Sequence, residues 1–504
     1  MELGVAQLLR AEFTNFRRVR SWMISLCTVV VVFVLLSFVI AVASHASNTA
    51  VPTGPGGEAV TDTYMFVHQP LAGDGTLTAR VASLWGAYTS TNTSGNTLGA
   101  SSKSQLGSQL QPGLAPWAKA GIILEPDTNQ GTDYAAVVVT GSHGVQMQYN
   151  YTHDSPGLTG PVGPSSPRWL RLTRVGDSIT GYDSTDSVHW TQIGTARLTG
   201  LPHTVQIGLF VTSPVYFAAG ANNGTPSVAT ATFDQIATQG DLPHRSWTGD
   251  AIAGLYPSLQ SDSTWQQPSA DALTISGSGD IAPLVGDIVV TNWSGASIVD
   301  GTIVGLLIVI VLAAVFATSE YRRGLIRTTS AASPRHVLAA KAVVAGSLAF
   351  AAGAIATAIA EVLTRHVLAA NGIYLFPQSG PVVARVIIGT GLLLGLAAVL
   401  VVALGTMVRR SAGTVVAGIV LLVVPGVLVT ILPADSESWL MQFTPTAAFA
   451  IQATLPRSNL VTDAYTIANG YFPISPWVGL AVLAAYTLVA LGAAMWLLRY
   501  HRAT

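Results

Sequence analysis

Cysteine is almost missing from this chain, and charge is scarce. The single Cys27 excludes an intrachain disulfide in any compartment, and with it a thiolate metal site. Charged residues make up 10% of the chain and hydrophobic ones 50%, a balance that belongs to integral membrane proteins rather than soluble domains. No GxxxxGK[ST] phosphate loop occurs, so the chain cannot hydrolyse ATP by that mechanism alone. Neither HExxH nor GxSxG is present.

What the chain does have is apolar length. A helix needs about 20 apolar residues to cross a hydrocarbon core of ~30 Å. Six segments supply them: 21–44, 301–319, 337–362, 382–407, 412–432 and 476–498. Backbone polar groups in lipid must be satisfied internally, so each reads as a helix. The basic N-terminus and its long apolar run read as a retained signal anchor. Pro425, inside the fifth segment, is expected to kink it. Between the first two segments, residues 45–300 carry strand and turn patterns instead.

The net charge of −1 averages two unlike parts. Residues 45–300 hold 18 acidic and 8 basic side chains, whereas the remainder holds 7 acidic and 16 basic. Arg10, Arg17, Arg18 and Arg20 precede the first span, and Arg322, Arg323, Arg327, Arg335 and Lys341 lie between the second and third. Arg409 and Arg410 separate the fourth from the fifth; Arg499 and Arg502 follow the sixth. The short opposite loops hold Arg365, Arg385 and Arg457. The positive-inside bias places both termini in the cytoplasm and residues 45–300 outside it, in a multi-pass protein of the plasma membrane. Trp22, Trp477, Trp496 and Tyr500 fall at span ends, where interfacial aromatics belong.

The connection between spans two and three reads Glu320-Tyr-Arg-Arg-Gly-Leu-Ile-Arg327, then Pro334-Arg335 and, opening the next span, Lys341. This order resembles the corresponding loop of the ABC type-2 transporter permeases. The amphipathic segment 9–21 resembles the N-terminus of their actinobacterial members. The resemblance covers the chain outside the insert, and it implies a short helix over 320–336 that docks on a separate ATPase subunit. ATP and Mg²⁺ then belong to that partner, with no cofactor on this chain. It also implies a second permease chain, because six spans make half a pathway in that family, and it favours export.

A physical reading of the loop allows the docking role. Leu325 and Ile326 offer apolar contact, Arg322, Arg323 and Arg327 can pair with a partner's carboxylates, and Gly324 and Pro334 punctuate the turn. The alternative is that the arginines are topology signals beside acidic lipid. Glu361 and Arg365, four apart near a span end, share a helical face and form a candidate intramembrane ion pair, functional or merely closing the helix. In the 433–476 loop, an apolar stretch from Trp439 to Leu455 is interrupted by Pro445. It reads as a re-entrant or interfacial helix, or as a lid on the insert.

Within the insert, strand signals cover 77–84, 120–124, 134–140, 145–151, 169–175, 178–182, 205–211 and 229–236. Helical periodicity is nearly absent, which points to an antiparallel sandwich. The runs Trp117–Leu124, Trp169–Trp190 and Gln206–Thr212 resemble the concanavalin- and laminin-G-like jelly-roll domains over about residues 60–238. Residues 239–300 complete that sandwich or form a stalk. Asp183, Asp186 and Trp190 are the candidate ligand surface, suited to stacking an extracellular glycan or, through the carboxylates, to Ca²⁺; core packing is the competing account of the tryptophan.

The expected fold is therefore a polytopic α-helical membrane protein, with six transmembrane helices and an inserted all-β sandwich of jelly-roll type. Its domains are 1–44, 45–300 and 301–504. The expected function is the membrane-spanning subunit of an ATP-driven exporter, not itself an enzyme. Its expected partners are an ATP-binding-cassette ATPase, a second permease chain and the bilayer, and no nucleic acid. The alternative is a membrane-anchored lectin-like receptor or sensor, for which one or two spans would suffice.

Overall fold

The computed structural model describes residues 10–14, 20–44, 51–89, 110–217, 224–242, 246–252, 263–284, 301–323, 334–429, 434–455, 457–464 and 471–500. The chain forms two compact units. Met1–Ala46, Val290–Leu455 and Thr466–Thr504 make one; Ser47–Val289 and Pro456–Tyr465 make the other.

The first unit is helical. Its long elements are α1 (Arg20–Ala43), α2 (Gly301–Arg323), α3 (Pro334–Ala370) and α4 (Gly380–Val408). There follow α5 (Ser411–Leu422), α6 (Val424–Val429), α7 (Ala434–Phe443), a 3-10 helix η1 (Pro445–Gln452) and finally α8 (Pro476–Tyr500). Among the described residues, α1–α4 and α8 are the five helices long and apolar enough to cross a membrane. The fifth predicted span is not one continuous helix: at the expected proline kink it is broken at Val423 into α5 and α6. Pro425 is the cause, because it has no N–H for the Leu421 carbonyl and its ring crowds that carbonyl.

Small residues let these helices approach closely. In the α3–α4 hairpin, Gly353 lies against Gly391 and Gly346 against Gly395. Trp22 of α1 meets Phe316 of α2 edge-to-face with ring centroids 5.0 Å apart. At the other end of this pair, the Ser37 hydroxyl accepts from the Gly301 N–H at 3.2 Å. These contacts make α1 and α2 antiparallel. Gly405 near the end of α4 lies by Ala317 near the end of α2, so those two run parallel. The apolar stretch around Pro445 is buried inside this unit: Ile451 seats on Gly389 of α4, and the Ala447 carbonyl seats on Gly479 of α8. Irregular backbone buried in this way is enclosed by protein, which can satisfy its polar groups.

The second unit is antiparallel β structure. Among the described residues its main pairing is one continuous network of 14 strands, carried round a bend by β2 (Tyr64–Thr89), whose neighbours change along its length. Residues 64–72 of β2 lie between β13 (Thr248–Ile252) and β11 (Thr204–Thr212). From β11 the pairing continues through β4 (Lys119–Glu125), β5 (Ala135–Thr140), β6 (Val145–Tyr149) and β7 (His153–Pro156). Residues 75–88 lie between β8 (Arg168–Val175) and β12 (Ser227–Asp241). Outside β8 come β9 (Ser178–Ser184) and β10 (Thr191–Arg197); outside β12 come β15 (Ala272–Gly277) and β14 (Thr264–Ser269). β3 (Leu110–Pro112) pairs with the end of β2, and β1 (Val60–Asp62) with β16 (Ile281–Pro283).

The bend in β2 falls at Gly73, whose φ of +69° suits glycine. Inward-facing Val67, Leu77, Ile122, Val137, Leu170, Leu209 and Phe233 from both halves share one core, so the network folds into two layers. The first layer is also covered on its outer face, where Tyr64, Phe66, Ile123, Tyr134, Val138 and Tyr151 form a second cluster. The eight predicted strand segments coincide with β2, β4, β5, β6, β8, β9, β11 and β12, except that 134–140 starts one residue before β5 and 145–151 runs two residues past β6. β13, β14 and β15 join the layers and β16 pairs with β1, so the described residues of 248–252 and 264–283 belong to this unit's strands rather than to a stalk. A second 3-10 helix, η2 (Asn459–Ala464), joins this unit and packs on β16.

Candidate functional site

The antiparallel packing of α1 with α2 and of α3 with α4 defines two ends of the helical unit. At one end lie Trp22, Phe316, Lys341 and the Arg409-Arg410 turn; at the other lie Ser44, Gly301, Asn371, Ala453 and Pro476. Seating of η1 against both Gly389 and Gly479, each near the start of its helix, sets α8 parallel to α4, which carries Arg499 to the first end. Glu320, Arg322 and Arg323 form the last turn of α2, and Pro334 and Arg335 open α3. Gly324, Leu325, Ile326 and Arg327 lie outside the described residues. Lys341 is buried with its ammonium 5.5 Å from the centre of the Phe316 ring. Arg409 adopts φ +58°, a conformation rare for a side chain of its size, and closes α4 by donating to the Gly405 carbonyl at 2.9 Å. That strain makes the tight two-residue turn between α4 and α5.

The opposite end holds partly buried polar groups. Gln452, the last residue of η1, donates from Nε2 to Thr302 Oγ1 of α2 at 2.8 Å and Thr390 Oγ1 of α4 at 3.0 Å. Arg385 donates to the Ala453 carbonyl. Asn371 donates to the Ala41 and Ser44 carbonyls at 3.0 and 2.7 Å, tying the end of α3 to the end of α1. Arg365 Nε donates to Glu361 Oε1 at 2.5 Å, with the Glu361 side chain 9% exposed. Each of these contacts satisfies a polar group that lipid would not. Between the two ends, α1 to α4 line a small, partly open apolar crevice of about 20 Å³ whose lining includes Leu26, Leu312, Phe316, Leu348 and Ala398.

In the β unit, the three candidate ligand residues do not converge. Asp183 is buried and accepts from the Leu158 N–H at 2.6 Å, and burial raises its pKa. It faces the core because Ile179 does, and side chains alternate along a strand. Its place on a ligand surface is thereby corrected. Asp186 folds the β9–β10 turn, accepting from the Val188 and His189 N–H groups at 2.9 and 2.8 Å and pairing with His189 Nδ1 at 2.7 Å. The His189 bond lowers the Asp186 pKa first, the backbone bonds further, and the same bond raises that of His189. Trp190 donates to the Ser187 carbonyl at 2.9 Å and lies beneath the Arg171 guanidinium, 3.8 Å from its ring centre. Among the described residues no group of three or more His, Cys, Asp or Glu can hold a metal ion.

One titratable cluster escaped sequence reasoning altogether. Asp62 Oδ2 accepts from the Gly131 N–H and the Tyr151 hydroxyl, both at 2.8 Å, and the Tyr64 hydroxyl donates to Glu125 Oε1. Burial pushes the Asp62 pKa up to about 6. Burial first, and then the charge on Asp62, holds the Glu125 carboxyl protonated well above the usual carboxylate range. Nearby, Lys119 is fully buried, donating to Asp280 Oδ1 at 2.8 Å and to the Ile281 carbonyl at 2.5 Å. Lys119 thereby holds the strand β16 that pairs with β1.

No protein-family model matches the sequence, and no curated protein does. Among solved structures, a protein of unknown function from Saccharomyces cerevisiae is similar to 39% of this chain over 85% of its own, at 15% identity and TM-score 0.23. Scytalido-glutamic peptidase with a transition-state analogue inhibitor is similar over 43% of this chain and 98% of its own, at 10% identity and TM-score 0.25. A GH43 protein from Bacillus licheniformis is similar over 33% and 28%, at 13% identity and TM-score 0.19. At such TM-scores these likenesses carry no argument about fold or activity.

Proposed function

We propose that this chain is the membrane-spanning subunit of an ATP-driven exporter, working with a separate ATP-binding-cassette ATPase and a second permease chain. In this reading α5 and α6 together make the fifth of six crossings, and the β unit is a jelly-roll-type domain outside the cytoplasm. Both termini lie inside the cell. The observation that carries the proposal is the gathering at one end of the helical unit of Arg335, Lys341, Arg409, Arg410 and Arg499, next to the loop that resembles the ATPase-docking loop. The bias of basic residues makes that end cytoplasmic. The opposite end, with η1 buried between α4 and α8 and its polar contacts closed, suits the outer side of a pathway. A receptor held only by its spans needs neither the inserted η1 nor the patterned loop.

The test is the paired change Arg323→Glu and Arg327→Glu, made in the full chain purified with its ATPase. The variant is expected to insert normally and to lose the ATP turnover of the complex through like-charge repulsion at the docking loop. Unchanged turnover in an intact complex overturns the docking role.

A further inference from the structure

We infer that the outward face of the layer built on β8, β9, the second half of β2 and β12 is where two copies of this chain meet. The inference rests on the reading of the chain as one of a pair of membrane subunits. Strand parity defines the face. Leu170 and Leu172 of β8 enter the core, so Trp169, Arg171 and Thr173 point outward. Register places Tyr182 beside Arg171 and Thr180 beside Thr173 on β9, with Arg80, Thr78 and Thr76 facing the three β8 residues from β2. Trp85, further along β2, is 55% exposed.

The composition is that of a contact surface rather than a solvated one. Interface cores are rich in Trp, Tyr and Arg and poor in Lys, Glu and Asp. Among the described outward residues of these strands there is no Lys or Glu. The acidic ones are Asp234, which Arg80 engages through two hydrogen bonds, and Asp241 at the far tip of β12. The large side chains are held in place: the Trp169 indole donates to Gln235 Oε1 at 3.1 Å beneath Arg80, and Arg171 stacks on Trp190. Fixed side chains lose little rotamer freedom on association.

Charge selects the occupant. Residues 45–300 carry 18 acidic and 8 basic side chains, so two copies approaching within a Debye length of about 8 Å repel over most of their surface. On this face the charges balance, with Arg80 paired to Asp234 and Arg171 set against Asp241 at the tip of β12. It is a face at which an acidic unit can meet its own copy, and a two-fold axis needs only one self-complementary patch.

The test uses the full chain in its native membrane on a Cys27→Ser background, with single cysteines Thr78→Cys and Thr180→Cys on the face and the exposed Asn129→Cys as control. A short bis-maleimide linker is expected to join two copies at the face positions and not at Asn129→Cys. Adding Arg171→Glu is expected to abolish the joined species while native mass spectrometry still counts two copies. Two copies without linkage, and with both cysteines open to maleimide, overturn this inference and leave the paired-subunit reading standing. A single copy overturns both. Cysteines protected from maleimide yet unlinked reveal another occupant, a glycan or a different protein, and also overturn it.

Discussion

Replacing Asp62 by Asn is expected to stabilise the β unit at neutral pH, although it removes a charge that two donors contact. Burial raises the Asp62 pKa from an ordinary 3.8 to about 6. The folded state therefore binds the proton more tightly than the unfolded chain does between those values. Stability is fullest below pH ~4 and falls as pH rises through ~6, the reverse of a salt-bridged carboxylate. The difference amounts to about 3 kcal/mol at pH 7, taking 1.36 kcal/mol per pKa unit. Asn keeps an oxygen where Oδ2 accepts from Gly131 and Tyr151 and never ionises. The variant should match the parent near pH 4 and exceed it by up to about 3 kcal/mol at pH 7.5. Hydrogen exchange of β4 and β5 amides in the detergent-solubilised full chain under urea measures this directly. A variant less stable than the parent by the same amount at every pH would refute the reasoning, because it would mean that the hydrogen bonds to an ordinary carboxylate outweigh its burial.

Two further substitutions probe the packing. Lys119→Met leaves Asp280 partly buried without its ammonium, and removing one partner of a buried pair costs about 3–5 kcal/mol; exchange of β1 and β16 amides should rise with the global unfolding rate, and the double variant with Asp280→Leu should recover part of the loss. Gly389→Val drives a side chain into Ile451 and should lower stability by about 1–3 kcal/mol. Adding Ile451→Ala should offset part of that penalty in a thermal assay of the solubilised chain; additive losses would show that η1 does not seat on α4 at this glycine.

The strands and spans that were legible had strong local signals. β5, β8 and β11 carry β-branched or alternating apolar runs, and α1 and α4 carry long, predominantly apolar runs. The first half of β2 was hidden by Pro70, which is unusual inside a strand. Residue 70 pairs with Gln206 on one side, after β13 has ended on the other, so no ladder bond is lost. β10 has little apolar content and survives as an edge. Asp183 was readable after all: parity with Ile179 places it inward, and only the appeal of a carboxylate beside a tryptophan argued otherwise. The Asp62–Glu125 cluster was not readable, since Tyr64, Tyr134 and Tyr151 come from distant segments and only the register of β2 with its neighbours brings them together.

The central claim, that this chain is the permease part of an ATPase complex, is tested most directly by native mass spectrometry of the assembly isolated through the full chain from its own membrane. The account predicts two permease chains bound to an ATPase that carries a phosphate loop, with ATP turnover in the isolated assembly. Isolation of this chain alone, or with partners that neither bind nor hydrolyse ATP, would contradict it.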